Sequence, residues 1–400
     1  MTIVGSTYIE TCLYPHWKEL YGSGWRAACA LIDHLNDIRF YTYLSQKDEE
    51  ILSLNPVYNE VESVNLTFIN QTITFEYFHG LSEPKIFPHP CSIQQNVPIE
   101  AVDDVVLRYG FIEGDAKVKG KKVVYDPQSA TAPKDFYENG SEADELVMVL
   151  NFREAALLSG FNEVSKIADT LLKGNTIALI LKLGPSGGQI ITKGTVTNYN
   201  VYKTNSVFPI GTGDIFAAFI AFFWGKEGRE LEEAATLASK AVAVYCESQT
   251  LPIKSGFQNK IFTPVREVSS AQNKKVYLAG PFFTMHQRWL IEESRNNLRG
   301  LGFDVFSPIH DVGKGIAEDV VPADIKGIED SDILFAIVDG LDTGTIFEIG
   351  YAKALNMGVI VYVENETEED LKMLEGTGCI IEHDFVSAIY KAKWLAMESE

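Results

Sequence analysis

The first part of the chain is built from short apolar bursts set between amphipathic stretches. Residues 2 to 5 predict a short buried strand. Ala27, Ala28, Ala30 and Leu31 fall on one side of a helix predicted over Ser23 to Leu35. Between Asn65 and His79 the runs NLTFI and ITFEYFH alternate apolar with polar residues. That alternation predicts an antiparallel pair partly open to solvent, as in a lid or a secondary sheet. From Val102 onward the bursts VDDVVL, KKVVYD, ELVMVL and IALILKL are separated by helical patterns such as Glu163 to Leu172. This is the alternation of a parallel sheet wrapped in helices.

After Thr250 the periodicity fades through LPIKSGFQNKIFTPVREVSSAQNK, a polar stretch with two prolines, before a fresh strand in KVYLAG. A second alternation follows: strand Val276 to Ala279, helix Gln287 to Leu301, strand DVFSP, helix from Pro322, strand ILFAIVD, helix from Ile346 and strand VIVYV. The expectation is an α/β protein of two domains, residues 1–266 and 275–400, with a linker at 267–274. The second domain is expected to be smaller, doubly wound and mostly parallel, of the flavodoxin or Rossmann kind.

A length of 400 residues exceeds what one core usually organises, which agrees with that division. The formal charge of −21 and the absence of clustered Lys and Arg exclude a phosphate-backbone grip, so no nucleic-acid partner is expected. Cys12, Cys29, Cys91, Cys246 and Cys379 are scattered, without CxxC or zinc spacing, and read as buried thiols in a reducing compartment. The start MTIVGSTYIET has neither a basic leader nor a long apolar core, and no segment reaches the roughly 18 apolar residues of a membrane span. A cytoplasmic location without membrane contact is expected. The seven histidines show no HExxH or similar spacing, and no directly bound metal is expected.

In the second domain, ILFAIVDGLDTGTIFEIGYAKA runs from an apolar strand through a Gly-rich turn with Asp342 into a helix with Glu348. Two carboxylates thus meet at a strand's carboxyl end, where open α/β sheets place ligands. Glu348 is expected in the first helical turn, where the dipole favours the ionised form of a carboxylate nucleophile. Asp342 can hydrogen-bond a sugar hydroxyl or protonate a base. Alternatively, Asp342 and Thr343 form only a turn and cap, and Glu348 only complements the dipole. YLAGPFF adds Tyr277 and the turn at Gly280, with Asp324 and Asp332 as further acidic groups one strand away. YLAGP, then D-I-x-x-I-x-x-S-D, then D-x-G-T-x-x-E-I-G-x-A together resemble the nucleoside 2-deoxyribosyltransferase family over residues 275 to 365. The resemblance implies Glu348 as the nucleophile on the sugar C1′, with Asp342 and Asp324 holding the sugar or assisting the base. It also implies that Tyr277 orients the nucleophile and that a covalent glycosyl-enzyme forms. Transfer to a second base and hydrolysis both stay open. Arg288, Arg295 and Lys314 are either contacts for a 5′-phosphate or solvated surface charges.

In the first domain, FPIGTGDIFAAFIAFFWG sets Gly211, Thr212, Gly213 and Asp214 before an apolar helix, an anion cradle with a carboxylate beside it. A Gly-rich turn with Asp214 as a cap is the alternative. VVYDPQ, LVMVLNFREAALLSG, LILKLGPSGG and GTGDIFAAF occur in the order found in the ribokinase-like (PfkB) carbohydrate kinases, a resemblance spanning roughly residues 1 to 262. It implies a ribokinase-like three-layer α/β/α domain with a small β lid, using ATP and magnesium brought with the nucleotide. It further implies Asp214 as catalytic base, Gly211 to Gly213 as anion hole, Asn151 and Glu154 supporting magnesium-bound phosphate, and Gly184 near the nucleotide. The sugar end, with Glu10, Gly22, Gly24 and Arg26, departs from the family: Glu10 replaces Asp, Tyr21 replaces the first Gly of a pair, and Arg26 replaces Asn. A permanent cation in that pocket points to an anionic ligand.

Together these readings imply a bifunctional enzyme of nucleoside or nucleotide metabolism, with glycosidic chemistry at Glu348 and ATP-dependent phosphorylation of a sugar or nucleoside at Asp214. The alternative is a nucleoside or nucleotide N-glycosidase whose kinase-like half is a degenerate ligand sensor or oligomerisation module. The partners expected are a small nucleoside, nucleotide or sugar and further copies of the chain, since related deoxyribosyltransferases and kinases commonly assemble.

Overall fold

The computed structural model describes residues 1–129, 131–265 and 274–398. The chain forms two compact units, Met1–Thr204 with Phe208–Pro264, and Asn205–Val207 with Val265–Glu400. Apart from Lys274, the linker expected at 267–274 lies outside the described residues.

In the first unit the strands are β1 (Thr2–Val4), β2 (Ile9–Tyr14), β3 (Trp17–Leu20), β4 (Arg39–Ser45), β5 (Ser63–Ile69), β6 (Thr74–His79) and β7 (Lys85–Phe87). They continue with β8 (Ile99–Tyr109), β9 (Ala116–Asp126), β10 (Glu142–Asn151), β11 (Thr176–Lys182), β12 (Gly188–Thr192) and β13 (Thr195–Tyr199). The helices are α1 (Gly22–Leu31), α2 (Gln46–Ser53), α3 (Phe152–Ser159), α4 (Val164–Leu171), α5 (Thr212–Ile220) and α6 (Leu231–Ser248). Among the described residues a nine-stranded sheet has the order β13-β12-β11-β10-β9-β8-β1-β4-β5. It is parallel from β11 to β5 and antiparallel at β11-β12-β13.

Its central strands read as continuous apolar runs because both faces are covered. Ile3, Leu107, Val147 and Val149 pack with Trp25, Ala217, Phe219 and Ala238 from α1, α5 and α6. The alternate residues Val4, Val106, Leu146, Met148 and Leu150 pack with Ala155, Ile167 and Leu171 from α3 and α4. The unit is therefore helix, sheet, helix in layers. A separate sheet, β3-β2-β6-β7, forms the small lid.

The antiparallel pairing expected between NLTFI and ITFEYFH does not occur. β5 pairs parallel with β4, reached through α2, whereas β6 joins the lid parallel to β2 and antiparallel to β7. Alternation reports that one face of a strand is covered, not which strand lies beside it, and a crossover through a helix delivers a parallel neighbour. β8 and β9 likewise follow one another without the helix that the pattern implied.

The second unit has the strands β14 (Lys275–Ala279), β15 (Asp304–Phe306), β16 (Ile333–Ile337), β17 (Gly358–Tyr362) and β18 (Ile380–Glu382). They lie in the order β15-β14-β16-β17-β18, every neighbouring pair parallel. Its helices are α7 (Met285–Gly300), α8 (Pro308–Asp311), α9 (Ala317–Glu329), α10 (Thr343–Ala354), α11 (Glu368–Gly376) and α12 (Phe385–Glu398). The chain winds from β14 to β15 on one side and returns to β16 on the other. A crevice therefore opens at the carboxyl ends of β14 and β16.

Candidate active sites

That crevice is a cavity of about 600 Å³ lined by Gly280, Phe283, Lys314, Asp324, Asp342 and Glu348, among others. β14 delivers Tyr277, which is fully buried, stacked at 5.4 Å on Phe306, and donates from its hydroxyl to Glu348 Oε1 at 2.6 Å. Asp342 caps α10: its Oδ2 accepts from the Thr345 amide and the Thr345 hydroxyl, each at 2.9 Å. The cap and the cavity wall are the same residue, so the two readings of Asp342 are compatible. The cap also starts the helix at Thr343, which moves Glu348 to the second turn rather than the first. The helix dipole fades beyond the first turn. Burial instead pushes the Glu348 carboxyl up to about 7, opposed by the Tyr277 hydrogen bond and reinforced by the charges of Asp324 and Asp342. Burial and the neighbouring Glu348 hold the Tyr277 phenol well above its usual range.

Asp324 Oδ1 is buried without a hydrogen-bond partner, and burial raises its carboxyl. Asp332 is not part of this group. It precedes β16, at the opposite end of the strand, where Oδ2 accepts from the Lys275 amide at 2.7 Å and Oδ1 accepts from Lys274 at 3.2 Å. A parallel sheet separates the residues before a strand from those after it by the strand's length. Lys314 lines the cavity, whereas Arg288 is paired with Glu292 at 2.9 Å and Arg295 is not in the lining. The contribution of Phe283, 70% exposed at the rim, and of Thr345 had no signal beyond their place beside the motifs.

The first unit has a cavity of about 280 Å³ lined by Glu10, Arg26, Asp126, Lys182, Gly211 and Asp214, among others. Arg26, 1% exposed, is its centre. It forms an ion pair with Glu10, and its Nη1 donates to Asp214 Oδ2 at 2.7 Å. Gln128 Nε2 donates to the other oxygen, Oδ1, at 2.5 Å, and the Tyr109 hydroxyl donates to the Asp214 carbonyl at 2.6 Å. Gly211 precedes α5 with φ +81°, and a Cβ there would stand 2.1 Å from Arg26 Nε. Both the backbone and the guanidinium thus require glycine. Gly24 allows α1 to start against β1, its Cβ position being 2.6 Å from the Gly5 carbonyl. Gly22 donates its amide to Glu10 Oε1 at 3.1 Å.

Asn151 and Glu154 cap α3 reciprocally, and Glu154 also accepts from the Ser129 amide at 3.0 Å, while lining the cavity. Thr212 donates its hydroxyl to the Pro209 carbonyl at 2.9 Å. Gly184 begins the turn after β11 and lies outside the lining. Sequence reasoning missed Gln128, Tyr109 and the Lys182–Asp126 ion pair at 2.6 Å. Their signal was positional: Asp126 and Lys182 are the last residues of β9 and β11. Burial pushes Asp126 up to about 7, opposed by Lys182. Among the described residues no group of three or more His, Cys, Asp or Glu is arranged to hold a metal ion, and no helix is long and apolar enough to cross a membrane. Cys12, Cys29, Cys246 and Cys379 are buried, but Cys91, expected inside, is exposed in the turn Pro90–Ser92.

The nucleoside 2-deoxyribosyltransferase family model matches residues 276–384, and that of the pfkB family carbohydrate kinases matches residues 115–252. Each match falls on residues that carry the corresponding set of motifs. A curated relative, "Uncharacterized protein UU063" of Ureaplasma parvum serovar 3 (strain ATCC 700970), is 33% identical over 99 residues, which cover 21% of this chain and 63% of that protein. The chain therefore spans under two thirds of the length of that relative. Among solved structures, Arabidopsis thaliana ribokinase complexed with ribose and ATP is 16% identical, covering 64% of this chain and 97% of that one at TM-score 0.49. Thermotoga maritima ribokinase is 16% identical, covering 65% and 99% at TM-score 0.46. Giardia lamblia ribokinase is 14% identical, covering 65% and 99% at TM-score 0.49.

Proposed function

We propose that the second unit breaks or exchanges the N-glycosidic bond of a nucleoside or nucleotide, with Glu348 as nucleophile. The observation that carries this reading is the Tyr277 hydroxyl 2.6 Å from Glu348 Oε1, in a cavity whose other carboxylates are Asp324 and Asp342. A Glu348 oxygen attacks C1′ as the C–N bond breaks, and the leaving base carries away the bond's electron pair and takes a proton from a carboxylic acid. Asp324, raised by burial and with one oxygen unpartnered, is suited to bring that proton. Water or a second base then attacks C1′ and releases Glu348, as in retaining glycosidases. Tyr277 is a positioning residue: it fixes the carboxylate and lowers the cost of ionising it.

For the first unit, Asp214 beside the Gly211 to Gly213 turn supports ATP-dependent phosphorylation of a sugar or nucleoside hydroxyl, with magnesium held by phosphate oxygens and water. The residues fit a phosphoryl group, because the start of α5 and Lys182 offer donors beside one another. The second reading, a ligand sensor, is favoured by one observation: both oxygens of Asp214 already accept hydrogen bonds, from Arg26 and Gln128. Those donors occupy one acceptor site on each oxygen, so a substrate hydroxyl has to reach one of the remaining lone pairs before Asp214 can act as its base.

The test is chromatography of products from nucleosides, deoxynucleosides, their monophosphates and NAD, with and without Mg-ATP. Free or exchanged base that disappears in Glu348→Ala supports the glycosidic reading, and no cleavage of any substrate overturns it. ADP formation lost in Asp214→Asn supports the bifunctional enzyme; no ADP formation supports the sensor.

A further inference from the structure

Gly327 is buried in the last turn of α9, where its backbone is not left-handed and no turn requires glycine. Alanine is the better helix former, so helix formation does not explain the glycine either. The ring of Phe306 does: a Cβ on Gly327 would stand 2.4 Å from Phe306 Cε1, 2.6 Å from Cζ and 2.8 Å from Cδ1. Phe306 ends β15 and is the register partner of Tyr277 in β14, and the two rings stack at 5.4 Å with 20° between their planes. Tyr277 in turn donates to Glu348. Asp324 precedes Gly327 by three residues and shares its face of α9. It lines the cavity, and its charge bears on both Tyr277 and Glu348. The contact of the Gly327 backbone with the Phe306 ring therefore supports both the residue that orients the nucleophile and the helix that carries the acid.

We propose that Gly327 and Phe306 are positioning residues of the glycosidic site. The bare backbone at Gly327 lets α9 settle on the Phe306 ring, which sets the reach of Asp324 toward the leaving base and holds Tyr277 against Glu348. A side chain at position 327 has two ways to fit. It tilts Phe306 out of its stack, which loosens Tyr277, or it lifts α9, which withdraws Asp324. Either movement displaces a group that acts as the C–N bond breaks. The rim at Phe283 and Lys314 lies on other segments and stays in place, so the loss falls on kcat more than on KM. This role rests on the reading of Glu348 as nucleophile and Asp324 as acid, and deepens it by naming what holds the two in register.

The experiment compares the full chain with Gly327→Ala, Phe306→Val and the double variant. Urea unfolding gives stability, and base release from the substrate found by chromatography gives kcat and KM. Valine lacks every ring atom that the alanine strikes. Gly327→Ala is expected to unfold at lower urea than the wild type, against the helix preference of alanine. Without urea it should lose at least about tenfold in kcat, with KM within about twofold. Phe306→Val should itself lose about threefold or more in kcat through Tyr277, and adding Gly327→Ala to it should cost less than about twofold further. A wild-type kcat in folded Gly327→Ala makes the glycine merely structural and overturns the proposal. A full loss from the alanine in the Phe306→Val background overturns the contact, and an unchanged kcat in Phe306→Val overturns the role of the ring. Failure of the glycosidic reading is seen separately, as no base release by the wild type. The Glu348 carboxyl followed by 13C NMR then decides: Gly327→Ala should move its titration by at least about half a pH unit, and an unmoved titration overturns the positioning role.

Discussion

Replacing Tyr277 by Phe removes one hydrogen bond and leaves the ring stacked on Phe306, so it isolates what the hydroxyl does for Glu348. Burial pushes the Glu348 carboxyl up to about 7, and the Tyr277 hydrogen bond is the largest influence in the opposite direction. A hydrogen bond to a charged group contributes about 1.5 to 3 kcal/mol, and 1.36 kcal/mol corresponds to one pKa unit. Because Glu348 is partly open to the cavity, the lower end applies, and Tyr277→Phe is expected to raise its pKa by about one unit. The nucleophile must be ionised, so kcat/KM should fall below pH 7 in the wild type, and the same limb should begin about one unit higher in Tyr277→Phe. At pH 6 the variant should be about tenfold slower than the wild type, with the difference shrinking above pH 8 as Glu348 becomes ionised in both. The assay is kcat/KM for base release from pH 5 to 9 on the substrate found by chromatography. A limb that does not move, or that moves to lower pH, refutes the reasoning, because the hydroxyl would then not be stabilising the ionised Glu348.

Asp342 separates cap from charge: Asp342→Ala should lower unfolding free energy by about 1 kcal/mol in urea, whereas Asp342→Asn should keep most of that stability. Since the Asp342 charge helps to raise Glu348, Asp342→Asn should also shift the acidic limb of kcat/KM toward lower pH. Arg26→Met leaves Glu10 and Asp214 buried without their cation and should cost about 3 to 5 kcal/mol. Adding Glu10→Gln and Asp214→Asn should recover most of that in urea titrations, and a triple variant as unstable as the single one would contradict it. Gly211→Ala meets both φ +81° and Arg26 Nε at 2.1 Å, so its melting temperature should fall clearly below that of Gly213→Ala, whose Cβ finds Lys182 Nζ at 3.4 Å.

Local composition explains why so much of both sites was legible. A Gly-rich turn that carries a carboxylate into a helix has to be written contiguously, as in Gly211 to Asp214 and Asp342 to Glu348. The strands were equally legible where both faces are covered, since Leu146 to Leu150 cannot then alternate with polar residues. β5 and β6 were misjudged because alternation in each is satisfied by any covered face, and the crossover through α2 chose β4 as the partner. Asp332 was misjudged because sequence proximity to Asp324 ignores which end of β16 it occupies.

The sequence by itself determined two α/β units, the chemistry-bearing turns and the unusual cation Arg26. Only the tertiary structure decided what those groups do to one another. Tyr277 and Glu348 are 71 residues apart, and Arg26 and Asp214 are 188 apart, yet each pair is hydrogen-bonded. Burial, a property of the surrounding packing, pushes the carboxyl of Glu348 up to about 7, whereas the helix dipole that its local sequence suggested would have lowered it. Short-range geometry follows from neighbouring residues, whereas solvation and charge pairing depend on which distant strands end side by side.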